Sequence, residues 1–218
     1  MRLLSLYNET GRYDKASALM DSRHFHLWEG GGEIHNIYVD AHMLNGLKML
    51  DNRKYDAAIK EFDLAMLYPA NLEVAPSVHG GFEAKACYLQ GLAYEGLGRT
   101  AEAKEAFQKA SVANEGGTSD LMYFKVKALR KLGATDEARK LTDKMVAART
   151  NLEKNLVDNY AKFGAADKNV QQSKLKYFSG LIDDLQGDRQ KANAAFEEAL
   201  KLNPDNIWAA YMLRSKTR

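Results

Sequence analysis

Apolar residues recur along this 218-residue chain at the three- and four-residue steps of an amphipathic helix, and the helical stretches fall in pairs. The clearest pair is 37–50 and 55–68, split by Asp51-Asn52-Arg53 and stopped before Pro69. A third pair takes 82–97 and the stretch to 113 around Gly98, and a fourth takes 119–132 and 136–150 around Gly133. A fifth runs from 172 to 186, turns at Gly187 and returns through Leu202. Gly98 and Gly133 suit the left-handed position that closes a helix. A shorter first pair fills 1–24, and one last helix, 205–215, is placed to cap the end of the array.

The second helix of each pair carries a triplet of small, aromatic and small residues. It reads Ala58-Phe62-Ala65, Ala103-Phe107-Ala110 and Ala192-Phe196-Ala199. Weaker copies are Ala138-Thr142-Met145 and Ala16-Met20-Arg23. Gly46, Gly91 and Gly180 stand at one fixed distance before the three strong copies, with Val126 in that place before the fourth. The glycines fall where two paired helices approach most closely, and the phenylalanines are expected to fill the gap toward the next pair. No pair can bury its apolar stripe alone, so the pairs must stack.

These residues resemble the tetratricopeptide repeat, most closely in YFSGLIDDLQGDRQKANAAFEEALKLNPDN at 177–206. The resemblance implies an all-α, right-handed α-solenoid of about five helix pairs with a C-terminal capping helix. It spans 1–218 as one domain, with units at 1–24, 34–68, 82–113, 119–150 and 172–203. First alanines at 16, 58, 103, 138 and 192 give intervals of 42, 45, 35 and 54 residues. A tetratricopeptide unit is about 34 residues. The surplus lies between units, at 25–33, 69–81 and 151–170, and the last insert carries Leu152, Leu156, Tyr160 and Phe163 at helical spacing, which predicts an extra helix.

Two inserts narrow the resemblance. FHLWEGGG (25–32) and YPANLEV (68–74) look like linkers of a bacterial repeat family whose tetratricopeptide tail follows a mutarotase-like, β-rich domain of unknown function. The match rests on Phe25, His26, Trp28, Glu29, Gly30 and Gly31, then Tyr68, Pro69, Asn71 and Leu72; Leu27 departs from the expected proline, and a usual His-rich stretch shrinks to Ser77-Val78-His79. It implies a large parent protein associated with carbohydrate metabolism. The late start of the first helix, which would leave Leu3, Leu4 and Tyr7 uncovered, fits a fragment or a chain docked against something upstream.

Composition adds exclusions. Three prolines and an excess of Ala, Leu, Lys and Glu over β-branched residues favour helix throughout. A net charge of +2 is too small to imply nucleic acid, and Lys125, Lys127, Arg130 and Lys131 read as a solvated face. One cysteine, Cys87, forms no internal disulfide and reads as a packing thiol. No apolar run is long enough to span a membrane and no charged-then-apolar leader opens the chain. A soluble protein is expected, its compartment open.

Candidate chemistry is thin. His24, His26, His35, His42 and His79 lie near the first two inserts beside Glu29 and Glu33, but the spacing of known zinc motifs is missing, so no metal is assigned. Gly30-Gly31-Gly32 lacks the strand before and the Lys-Ser/Thr after a phosphate loop. Asp183-Asp184 and Glu197-Glu198 point to different helix sides, so neither pair serves as general acid and base. No catalytic residue and no cofactor is expected.

A binding groove is the sharper expectation. Equivalent inner-helix positions hold Met43, Tyr88, Tyr123 and Tyr177, and one turn on Leu47, Leu92, Lys127 and Leu181. The resemblance implies that these face a groove suited to an extended peptide or amphipathic helix. Only Lys127 fits the Lys/Asn clamp that grips acidic chaperone tails, so that ligand class is disfavoured. The chain thus reads as a non-catalytic scaffold for a protein partner or for its parent's own domain. The alternative is an accessory module of a carbohydrate-active enzyme, with Trp28 and His79 completing a sugar-contacting edge.

Overall fold

The computed structural model describes residues 1–26, 33–76, 81–114, 120–158 and 165–215. Among them it contains helices, one short 3₁₀ turn and no strand. The chain falls into two compact units, Met1–Gly117 and Thr118–Arg218. The first holds α1 (Arg2–Glu9), α2 (Tyr13–Asp21), α3 (Glu33–Asp51), α4 (Tyr55–Ala65), α5 (Glu83–Gly96) and α6 (Thr100–Val112). The second holds α7 (Leu121–Lys131), α8 (Thr135–Asp158), α9 (Ala165–Leu185), α10 (Arg189–Leu202) and α11 (Ile207–Arg214). Helices pair in chain order, α1 with α2 through α9 with α10, and consecutive pairs within each unit pack on one another.

Each pair turns on one left-handed residue. Gly11, Gly98, Gly133 and Gly187 have φ of 72°, 71°, 77° and 84°, and Arg53 has 59°. The next residue's N–H reaches back over the turn: Arg12 to Tyr7 O, Lys54 to Met49 O, Arg99 to Tyr94 O, Ala134 to Leu129 O and Asp188 to Asp183 O, at 2.8–3.0 Å. This six-to-one bond closes the first helix and satisfies a carbonyl that helix geometry leaves over. Glycine adopts the conformation freely, whereas Arg53 does so against its own Cβ.

Seven residues before each turn residue and nine after it lie the two positions that lock the pair. They hold Gly46 and Phe62, Gly91 and Phe107, and Gly180 and Phe196. A Cβ built on Gly46 would lie 2.5 Å from Phe62 Cε1, and one on Gly180 would lie 2.5 Å from Phe196 Cε1; at Gly91 it would run still further into the Phe107 ring. Each ring therefore occupies the notch where a side chain would be, and Phe62 and Phe196 are wholly buried. The rings seat on the glycine of their own pair, where the sequence pattern points them toward the next one. The remaining pairs hold Val126 with Thr142 and Leu4 with Met20 at these positions, all buried. There the first helix gains bulk and the second gives up its ring.

Other contacts join pair to pair. In the first unit the Tyr55 ring lies where a side chain on Gly96 would project, and Gln90 Nε2 donates to Asp63 Oδ1 at 2.6 Å. In the second, Asn206 caps α11 by accepting from Ala209 N–H at 3.0 Å, and its amide donates to Ser173 Oγ at 3.0 Å. Ser173, fully buried in α9, donates in turn to Ala199 O at 2.8 Å, so one short chain of bonds ties α9, α10 and α11.

Two expectations change. The 151–170 insert makes no separate helix among the described residues: Leu152 and Leu156 lie in α8, which runs on through Asp158, and α9 begins at Ala165, while Tyr160 and Phe163 lie outside the described residues. At the start of the chain Leu4 is buried, in the place the glycine takes in other pairs, while Leu3 and Leu6 are 49% and 43% exposed.

The ring-in-notch contact makes a double-mutant test. Gly91→Val is expected to cost about 1–3 kcal/mol from overpacking. Adding Phe107→Thr, which copies the fourth pair, should cost less than the two single losses combined in urea unfolding; additive losses would contradict the contact. Arg53→Gly should raise stability by about 1 kcal/mol, the order of the left-handed penalty it removes.

Candidate functional site

The inner helices place the proposed groove residues within the packing. Met43 and Leu47 of α3, Tyr88 of α5, Tyr123 of α7, and Tyr177 and Leu181 of α9 are all buried. Tyr88 lies against Phe107, with ring centroids 5.7 Å apart, and Tyr177 lies against Phe196 at 6.0 Å. Their register explains it. Each stands three residues before the notch, so its ring flanks the ring seated there. The Tyr123 hydroxyl donates to Asp184 Oδ2 across to α9 at 2.7 Å.

Leu92 and Lys127 alone of the eight keep part of their surface in solvent. The Lys127 ammonium sits 5.6 Å from the Tyr123 ring centroid. Burial lowers its pKa, with Asp184 pulling the other way. Cys87 is buried, which raises its thiol pKa.

A second cluster lies where the first two inserts meet. Asn71 Nδ2 donates to Met20 O at 2.9 Å and Arg23 O at 2.8 Å, fastening the end of α2 and the residues after it from 51 and 48 residues downstream in the chain. Phe25 N–H donates to Asn71 O at 2.7 Å, and Leu72, in the 3₁₀ turn Ala70–Leu72, is buried. The two inserts thus clasp each other. Trp28, Glu29, Gly30, Gly31 and His79 lie outside the described residues.

The four described histidines divide in two. His35 is buried, stacks on Tyr68 at 4.0 Å and 11°, and donates from Nε2 to Leu67 O at 2.9 Å. His42 pairs through Nδ1 with Glu61 at 2.8 Å. Both therefore serve packing in the second pair. His24 and His26 instead converge on one carboxylate oxygen, Glu73 Oε1, at 2.7 and 3.3 Å, with all three residues exposed. Sequence spacing hides this grouping, because Glu73 lies 49 residues from His24; the visible signal was only the His-x-His pair.

Residues 84–111 and 173–206 match the tetratricopeptide repeat family. The matches cover α5 with α6 and α9 with α10, two of the three pairs that carry the glycine–phenylalanine lock. Fold and matches together define an all-α protein of tetratricopeptide-like helix pairs. No described helix is long and apolar enough to cross a membrane.

Burial lowers the His35 pKa, outweighing the opposite effect of its bond to Leu67. The unfolded chain therefore takes up this proton more readily than the folded one. Stability from neutral His35 is complete above about pH 6.5 and is lost as pH falls below that value. Denaturant titrations from about pH 7 to about pH 5 should show wild type losing stability more steeply than His35→Phe. Equal slopes would contradict the assignment.

Proposed function

We propose that the chain is a non-catalytic interaction scaffold that binds a protein segment along the inner helices of its units. The matches to the tetratricopeptide repeat carry this reading, because repeats of that family generally mediate protein–protein interaction. Within each unit the stacked helix pairs offer a surface suited to an extended or helical ligand.

The partly exposed side chains mark where such a segment would touch. On α5 this is Leu92, one helical turn after the buried Tyr88. On α7 it is Lys127, one helical turn after the buried Tyr123, with its ammonium near that ring. The buried tyrosines act here as the rigid floor under the contact residues. The partner is expected to offer an apolar anchor to the first unit at Leu92, or an acidic group to the second at Lys127. It belongs either to a separate protein or to another domain of a longer polypeptide.

The test is affinity capture from the source cells with wild type and two surface variants, Leu92→Asp and Lys127→Glu, each checked for native helicity. A partner held by wild type and lost at least about tenfold by one variant supports the reading, since tenfold corresponds to a single contact of about 1.4 kcal/mol. A partner set unchanged by both variants places binding elsewhere, and the inner-edge proposal fails.

A further inference from the structure

We propose that His24, His26 and Glu73 form a binding site for one divalent transition-metal ion of the zinc class. Two imidazoles and one carboxylate make a borderline nitrogen and oxygen donor set, the kind that holds zinc while leaving a coordination position open. Their ligand atoms all lie within 4.8 Å of one another. Glu73 Oε1 is 2.7 Å from His24 Nε2 and 3.3 Å from His26 Nδ1, and the two rings are 4.8 Å apart, tilted by 56°. Zinc bonds of about 2.0–2.2 Å in tetrahedral array put neighbouring donor atoms about 3.3–3.6 Å apart. Small side-chain rotations bring the three donors to that spacing.

The donors are held by elements already fixed for other reasons. Asn71 secures the end of α2 through Met20 O and Arg23 O, directly before His24. Its own carbonyl takes the Phe25 N–H, between the two histidines. Glu73 follows the buried Leu72 and has a φ of 50°, a conformation an L-residue adopts at a cost, which turns its side chain back toward His24 and His26. The backbone that carries the three donors is thus held in place before any ion arrives, and preorganisation of this sort favours binding. The ion would bridge the segment after α2 to the segment after α4, turning the clasp between inserts into a metal-closed loop. Three protein donors leave one position of a tetrahedral ion for water or another ligand.

The probe is zinc itself, titrated calorimetrically into tag-free, chelator-stripped full chain in a non-coordinating buffer, with cobalt as spectroscopic substitute. One ion per chain should bind, cobalt should show the visible absorption of a low-coordinate site with nitrogen ligands, and zinc should raise the unfolding midpoint. His26→Ala and Glu73→Gln, both at exposed positions, should weaken binding at least about tenfold, the lower range seen even for lost outer-shell partners of metal ligands. Absence of saturable zinc binding and of a cobalt spectrum in wild type overturns the proposal without recourse to variants. Binding that persists unchanged in folded His26→Ala and Glu73→Gln overturns it as well, since the ion then sits elsewhere.

Discussion

A phenyl ring seated in the notch of a glycine sets the geometry on which the rest of this molecule depends. Two helices can approach closely only where one of them lacks a side chain, and the vacancy must be filled to avoid a void. Phe62, Phe107 and Phe196 fill it at Gly46, Gly91 and Gly180, with contacts too close to admit even a methyl group. The pairs that lack this combination change both partners together. Val126 stands with Thr142, and Leu4 with Met20, keeping small against large in reverse or sharing the bulk between them.

That contact is registered by the turn. The left-handed residue at 11, 53, 98, 133 or 187 sits at constant offsets from both lock positions, so an insertion inside a pair would pull ring from notch. Extra sequence is consequently confined to the connections between pairs. The same constraint helps bury Tyr88 and Tyr177, which stand three residues before a notch and have the seated ring beside them. The proposed recognition falls to the partly exposed Leu92 and Lys127, and the proposed ion to the clasp that the first two connections build from Asn71, Glu73, His24 and His26.

Much of the helical framework was legible because it is written in local spacing. The glycines, the rings sixteen residues on, and the turn glycines Gly98, Gly133 and Gly187 can all be read along one strand of text. Arg53 could not, because its left-handed turn is imposed by the pair around it and not by its own preference. The direction of the phenylalanine rings and the burial of Tyr88 and Tyr177 depend on which neighbour sits within reach, a tertiary matter. The stripe at Leu152 and Leu156 signalled helix correctly, but could not say that α8 simply continues. Glu73 and His24 meet only because Asn71 docks on the end of α2, and no periodicity connects positions so far apart.

The central contact has a direct solution signature. An aromatic face pressed onto a glycine shields its α-protons, so the Gly46, Gly91 and Gly180 Hα resonances should lie well upfield of ordinary helical glycines. Each should also show nuclear Overhauser contacts to the ring protons of Phe62, Phe107 and Phe196 respectively. Glycine shifts in the ordinary range, without those ring contacts, would mean that the helices are not paired through the notch, and the account would be wrong at its base.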